Sequence, residues 1–205
     1  MLLALDKAGF HYPETDRWVF RGVNLPICAG ETVKVIGRNG SGKTTLLKAM
    51  SGLLSLNEGR LTVQPGVSIV YMNQFAGDML AKDLTIDEQL RAATIPTRNY
   101  KDRSIELLAT FGLGLQDRLT AFVGHLSGGE RQIVALLCVV ASGASILCLD
   151  EFTAALDESS VAAAEGILEH LQSHYALALV IVSHSGISFK IKRRMELVDG
   201  HLSEF

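Results

Sequence analysis

The sequence predicts an α/β fold built on a mostly parallel sheet, and three observations carry that prediction. Two short apolar stretches, 145–149 and 177–182, flank a helical pattern at 158–173. Strands apolar on both faces occur where helices cover both sides of a parallel sheet. A third apolar run, 32–36, passes through a glycine-rich turn directly into a helical pattern that reaches Met50. At 205 residues the chain is long enough to bury roughly 70% of its unfolded surface. Its 48% hydrophobic and 20% charged content is that of an ordinary globular domain and excludes disorder, collagen and a coiled-coil rod. Nineteen basic against 22 acidic side chains leave a net charge of −3, which argues against a nucleic-acid binder acting through bulk positive charge.

The elements follow in order. Strands are expected at 2–12 and 18–28, with Pro13 ending the first and Ala29-Gly30-Glu31 turning the second into the strand 32–36. After the helix that begins past Gly42, Gly52 is a stop signal. Short strands follow at 61–63 and 69–72. Between about 75 and 126 the character changes: helical patches at 85–93 and 102–111 are separated by Pro96 and several glycines. This segment reads as a small helical subdomain inserted into a single domain spanning 1–205, after which the α/β core resumes and ends in a strand-turn at 195–200. Cys28, Cys138 and Cys148 form no C-x-x-C pair and read as small core residues in a reducing compartment. The longest apolar run, 133–141, falls far short of the ~20 residues that span a bilayer. The N-terminal apolar stretch is too short, and lacks a basic flank, for a signal peptide, so a soluble cytosolic chain is expected.

Gly37-Arg38-Asn39-Gly40-Ser41-Gly42-Lys43-Thr44 fits G-x-x-x-x-G-K-[ST] between a strand and a helix, the context that motif requires. Its glycines let successive N–H groups converge on a phosphate, and the following helix adds about half a positive charge. Lys43 supplies a full charge for the β- and γ-phosphates, and the Thr44 hydroxyl can coordinate Mg2+. Thr45 closes the loop segment. The chain is therefore expected to bind a nucleoside triphosphate on a P-loop NTPase core. Asp150 ends the apolar run 146–150, where a carboxylate faces the crevice in which parallel sheets bind ligands and can hold the magnesium. Glu151, next to it, can orient or deprotonate an attacking water.

Leu126-Ser127-Gly128-Gly129-Glu130 is, by local chemistry, a helix start with a Ser127/Glu130 capping box. Two glycines there cost stability, about 1 kcal/mol each in a helix interior, and suggest close backbone approach to an anion. With these residues the sequence resembles the nucleotide-binding subunit of ABC transporters, whose signature is LSGGQ or LSGGE, and the resemblance covers essentially the whole chain. It implies an antiparallel β subdomain at the N-terminus and several further roles. Tyr12 stands where the family stacks an aromatic on adenine; a structural tyrosine is the other reading, with Phe10 or His11 then taking that place. Gln74 resembles the glutamine that senses Mg2+ and water, so it joins Thr44 and Asp150 as a metal-side residue. Asp157 resembles the contact to a partner subunit, and His184 the switch histidine that reaches the γ-phosphate. Phe152 departs from the family, which usually places proline after the catalytic glutamate; this loosens the turn but leaves Glu151 in place.

The resemblance implies an ATPase using ATP and Mg2+, with two copies or two related subunits joined head to tail. The phosphate loop of one would face Ser127–Glu130 of the other. It also implies a transmembrane permease partner, a solute-binding protein in the case of an importer, and a cytoplasmic place on the inner face of the membrane. Phe75, Met79, Leu80 and Leu84 either offer a groove to a helix of that partner or form an internal core. A soluble ATPase of the same superfamily, acting in translation or DNA maintenance, is the alternative. It would need long coiled coils or a second such domain, and neither is in the sequence. A small-molecule kinase has no use for LSGGE.

Overall fold

A computed structural model describes residues 1–94, 100–111, 113–183 and 190–205. In chain order the elements are β1 (Leu3–Phe10), β2 (Phe20–Ile27), β3 (Thr32–Ile36), α1 (Lys43–Met50), β4 (Glu58–Val63) and β5 (Ile69–Asn73). They continue with α2 (Ile86–Ala93), α3 (Tyr100–Phe111), α4 (Gly128–Ala141), β6 (Ile146–Asp150), α5 (Glu158–Tyr175), β7 (Ala178–Val182), β8 (Arg193–Val198) and β9 (His201–Glu204). The α/β expectation is met. A six-stranded sheet runs β5-β6-β7-β3-β8-β9, parallel from β6 through β8, and a separate antiparallel sheet runs β2-β1-β4.

The chain divides into two compact units. The first comprises Met1–Tyr71, Ser145–Glu151 and Gln172–Phe205 and holds both sheets. Its core packs the inner faces of the two sheets around α1, with Leu3, Leu25, Val33, Val35, Leu46 and Val180 all inaccessible to solvent. A fully buried aliphatic side chain of this kind contributes about 1.5–3 kcal/mol. The second unit comprises Met72–Ala144 and Phe152–Leu171, wider than the insert expected at 75–126. It takes in 152–171 and also α4, whose Ile133, Val134, Leu136 and Leu137 are fully buried as it packs against α2, α3 and a 3-10 turn at Ala76–Met79. Both α2 and α4 begin with complete capping boxes, Thr85 with Glu88 and Ser127 with Glu130.

Several boundaries shift for identifiable reasons. β1 ends at Phe10 rather than at residue 12, because the His11 N–H is taken by Asn57 Oδ1 (2.9 Å) and Thr15 N–H closes a turn onto Tyr12 O (3.1 Å). β4 begins three residues earlier than expected: its polar start pairs with β1, and Arg60 and Glu58 form ion pairs with Asp6 and Arg21. Cys148 is buried, but Cys28 is exposed, correcting its reading as a core residue; its N–H is held by Glu31 Oε2 (2.8 Å) in the turn after β2. Among the described residues no helix is long and apolar enough to cross a membrane.

Candidate functional site

In the first unit, β3 delivers the chain at Gly37 into the phosphate loop, and only glycine fits there. Its φ is +153°, and a Cβ would lie 2.5 Å from Leu197 O and 2.7 Å from Ser41 Oγ. The loop is internally braced: Ser41 N–H donates to Arg38 O (3.1 Å), and Lys43 Nζ donates to Gly37 O (2.8 Å) and Arg38 O (3.0 Å). Two of the three ammonium protons of the buried Lys43 are thus held by the loop, leaving one for a phosphate oxygen. α1 starts at Lys43 with Gly42 at its N-cap and no side chain capping it. Its first N–H groups stay available to an anion, and the helix dipole favours one there. Arg38, Asn39 and Gly40 are exposed, as is Thr44 at the helix start. A cleft of about 820 Å³ lies beside the loop, walled by Arg17, Trp18, Arg38, Asn39, Glu196 and Asp199 among others.

Tyr12 comes back over the same helix. Its hydroxyl hydrogen-bonds with Thr45 Oγ1 (3.1 Å), and its ring stands edge-on to Phe10 with centroids 5.0 Å apart. It remains 40% exposed. An aromatic and a residue of the loop helix, 33 positions apart in sequence, therefore touch.

The carboxylates arrive through sheet register. Asp150 pairs with Val182 of β7, which pairs on its other side with Val35 of β3. The carboxyl end of β6 and the outlet into the phosphate loop thus lie at the same level, one strand apart, at the end of the sheet where ligands bind. Asp150 is 6% exposed. Its Oδ2 accepts a hydrogen bond from the Tyr71 hydroxyl (2.7 Å), and its Oδ1 is buried without a partner. A buried carboxylate oxygen with no donor is costly unless a cation meets it, so this residue and the exposed Thr44 hydroxyl fit a hard, oxygen-loving ion such as Mg2+. Burial and the hydrogen bond to Asp150 push the Tyr71 phenol up, keeping it a donor. Glu151 follows in a left-handed conformation (φ +52°) with its N–H on Val182 O (2.9 Å), which turns it out of the strand. Its charge also reaches Lys34: burial and the neighbouring Arg194 lower that ammonium's pKa, and Glu151 opposes them.

The signature segment and Gln74 belong to the second unit. Ser127 Oγ accepts from Glu130 N–H (3.1 Å), while Glu130 Oε2 accepts from Ser127 N–H (2.8 Å) and Oε1 from Arg118 (2.5 Å). The Ser127 side chain also hydrogen-bonds the Glu130 carboxyl, and the residue is exposed. Burial pushes the Glu130 carboxyl up, but the Ser127 N–H and Arg118 together outweigh it and hold it below the usual carboxylate range. Gly129 is required by close approach, since a Cβ there would sit 2.4 Å from Ser160 Oγ, whereas Gly128 faces open space. Asp157 caps α5 by accepting from Ser160 N–H (2.8 Å) and Ser159 Oγ (2.7 Å), and its pKa is lowered by those bonds, the Ser160 N–H first. Gln74 is half-buried just past β5. His184 lies outside the described residues.

Three contributors escaped the sequence reading: Tyr71, Arg118 and Gln132. Gln132 is 3% exposed, accepts from Gly77 N–H (2.8 Å) and donates to Asn73 O (3.0 Å) and Phe152 O (3.3 Å). It braces the loop in which Phe152 replaces the family's proline. A glutamine inside an otherwise apolar helix face was the available signal.

The family model described as "ABC transporter" matches residues 20–154. The chain is 34% identical over 188 residues to the zinc import ATP-binding protein ZnuC of Ruegeria pomeroyi, covering 91% of this chain and 71% of that one. It is 32% identical over 202 residues to the lipoprotein-releasing system ATP-binding protein LolD 1 of Rhodopirellula baltica, covering 90% and 87%. Against four zinc-import relatives it spans between 58% and 71% of their lengths. Among solved structures it resembles cbiO1 of Clostridium perfringens, part of an ABC transporter complex, with a TM-score of 0.82 at 21% identity over 98% of this chain and 86% of that one. It also resembles a dimeric ATP-binding cassette in a post-hydrolysis state bound to ADP and Pi, with a TM-score of 0.76 at 22% identity over 99% and 98%. At those identities the structural likeness speaks for the fold.

Proposed function

The chain belongs to the ABC transporter family, and from that membership we propose that it is an ATP-binding, ATP-hydrolysing subunit coupling ATP-driven association of two such subunits to solute movement through a membrane partner. The observation that carries the chemistry is the level placement of the phosphate loop and of Asp150, whose Oδ1 has no partner, at one end of the sheet. The α1 N-terminus and Lys43 bind and orient the β- and γ-phosphates. Thr44 and Asp150 would hold Mg2+, which supplies charge neutralisation on the phosphates. Glu151, turned out of β6, orients a water for in-line attack and accepts its proton. For Gln74 and His184 the family resemblance supports the roles of metal-and-water sensor and γ-phosphate contact.

Ser127 and Gly129, at the start of α4, would complete the γ-phosphate cage of a second subunit, identical or related, in a head-to-tail pair. The exposure of Ser127 and the open space at Gly128 support that reading. Phe75 and Met79 are 56% and 85% exposed, which favours a docking surface for a permease over an internal core. A peripheral place on the cytoplasmic side of the membrane follows, with a solute-binding protein as a further partner if the complex imports.

The test is Glu151→Gln. ATP binding should stay within about threefold while turnover falls at least 100-fold, the scale of loss for a positioned general base. Hydrolysis at the wild-type rate would remove Glu151 from the reaction.

A further inference from the structure

The carboxylate of Asp150 has a contact that phosphate binding does not require. Tyr71, two residues before the end of β5, reaches across to the neighbouring strand and donates its hydroxyl hydrogen to Asp150 Oδ2 over 2.7 Å. The register that brings them together is set at the strands' beginnings, where Ser145 and Ile146 N–H groups both donate to Ser68 O (2.9 and 3.0 Å). The ring of Tyr71 is half-buried and packed against the core, so its hydroxyl is held in place by the same contacts that hold the sheet. Asp150 itself is 6% exposed, so bulk water does not replace a donor that is lost.

The consequence is an asymmetric carboxylate. One oxygen is occupied by a neutral donor, and the other, Oδ1, is buried and unpartnered. We propose that Tyr71 is a positioning residue that locks the Asp150 carboxylate so that Oδ1 is the oxygen presented to the divalent cation accompanying the nucleotide. The inference rests on the metal-side reading of Asp150 given above. Without the phenol, rotation of the carboxyl group exchanges the two oxygens and removes the preorganisation. Outer-shell hydrogen bonds of this kind typically carry a 10–100-fold effect on metal affinity. A core aromatic whose hydroxyl merely finds a partner would have no metal-specific effect.

Tyr71→Phe keeps the ring and deletes the hydroxyl. A non-hydrolysable ATP analogue is titrated into the full chain by calorimetry, once with Mg2+ and once with EDTA, and the ratio of the two affinities is the metal-dependent enhancement. The variant should lose about 10-fold or more of that enhancement while binding the analogue in EDTA as wild type does. An undiminished enhancement overturns the proposal. So does an equal loss with and without metal, which would make Tyr71 a general support of the site. Asp150→Asn is measured alongside. If it retains the enhancement, the metal reading of Asp150 fails and takes Tyr71 with it; if it abolishes the enhancement while Tyr71→Phe does not, the Tyr71 proposal alone falls.

Discussion

At the scale of single residues, the proposed site leaves polar groups with bonding capacity to spare. Lys43 is tied twice to its own loop, Asp150 once to Tyr71, and each keeps one bonding position open. Tyr12 is a different case, because its hydroxyl is engaged by Thr45 and its ring by Phe10, while 40% of it remains exposed. If the ring stacks on adenine, Tyr12→Ala weakens ATP about 10-fold, within the 1–3 kcal/mol that base–aromatic stacking contributes, and leaves inorganic triphosphate binding unchanged. Equal losses for both ligands, measured by competition binding, would make it a structural tyrosine.

At the scale of elements, α4 shows one local device serving two purposes. The Ser127–Glu130 capping box closes the helix start, and the same serine stays exposed to a partner. Ser127→Ala should therefore cost about 1 kcal/mol, the usual cost of a lost N-cap, seen as a drop of about 2–4 °C in thermal unfolding. The sign of the pH dependence follows from Glu130, whose folded pKa is depressed. The Ser127 side chain is one of the groups that lower it; that part of the contribution is present above the ordinary carboxylate pKa and is lost as the pH falls through the lower folded value, so the Ser127→Ala deficit narrows in acid. An unchanged melting temperature at neutral pH would mean that tertiary packing, not the cap, holds this end of α4.

At the scale of the whole molecule, each of the two units holds a different part of the proposed site: phosphate loop, Asp150 and Glu151 in one, Gln74 and Ser127–Glu130 in the other. Ser127→Arg tests the pairing of chains. With a bulky cation in place of the small donor, ATP-dependent dimerisation of the Glu151→Gln protein should disappear in sedimentation velocity while monomer ATP binding persists. A dimer formed as before would exclude Ser127 from the interface.

Legibility in the sequence divided along the same scales. The phosphate loop, the carboxylates after β6 and the capping box were readable because each is a local device: a glycine pattern, an apolar strand ending in acids, a serine three residues before a glutamate. The strand alternation and the helix starts were local too, and they hold in the structure within a few residues. What the chain order could not reveal was which strands become neighbours. Tyr71 and Asp150 are 79 residues apart, and nothing periodic marks a tyrosine in β5 as the partner of an acid in β6. Gln132 bracing the Phe152 loop, Arg118 joining the Glu130 cap and the polar start of β4 were hidden for the same reason. Side-chain contacts across sheet order and between helices are decided by packing over long sequence separations, so only the tertiary structure supplies them.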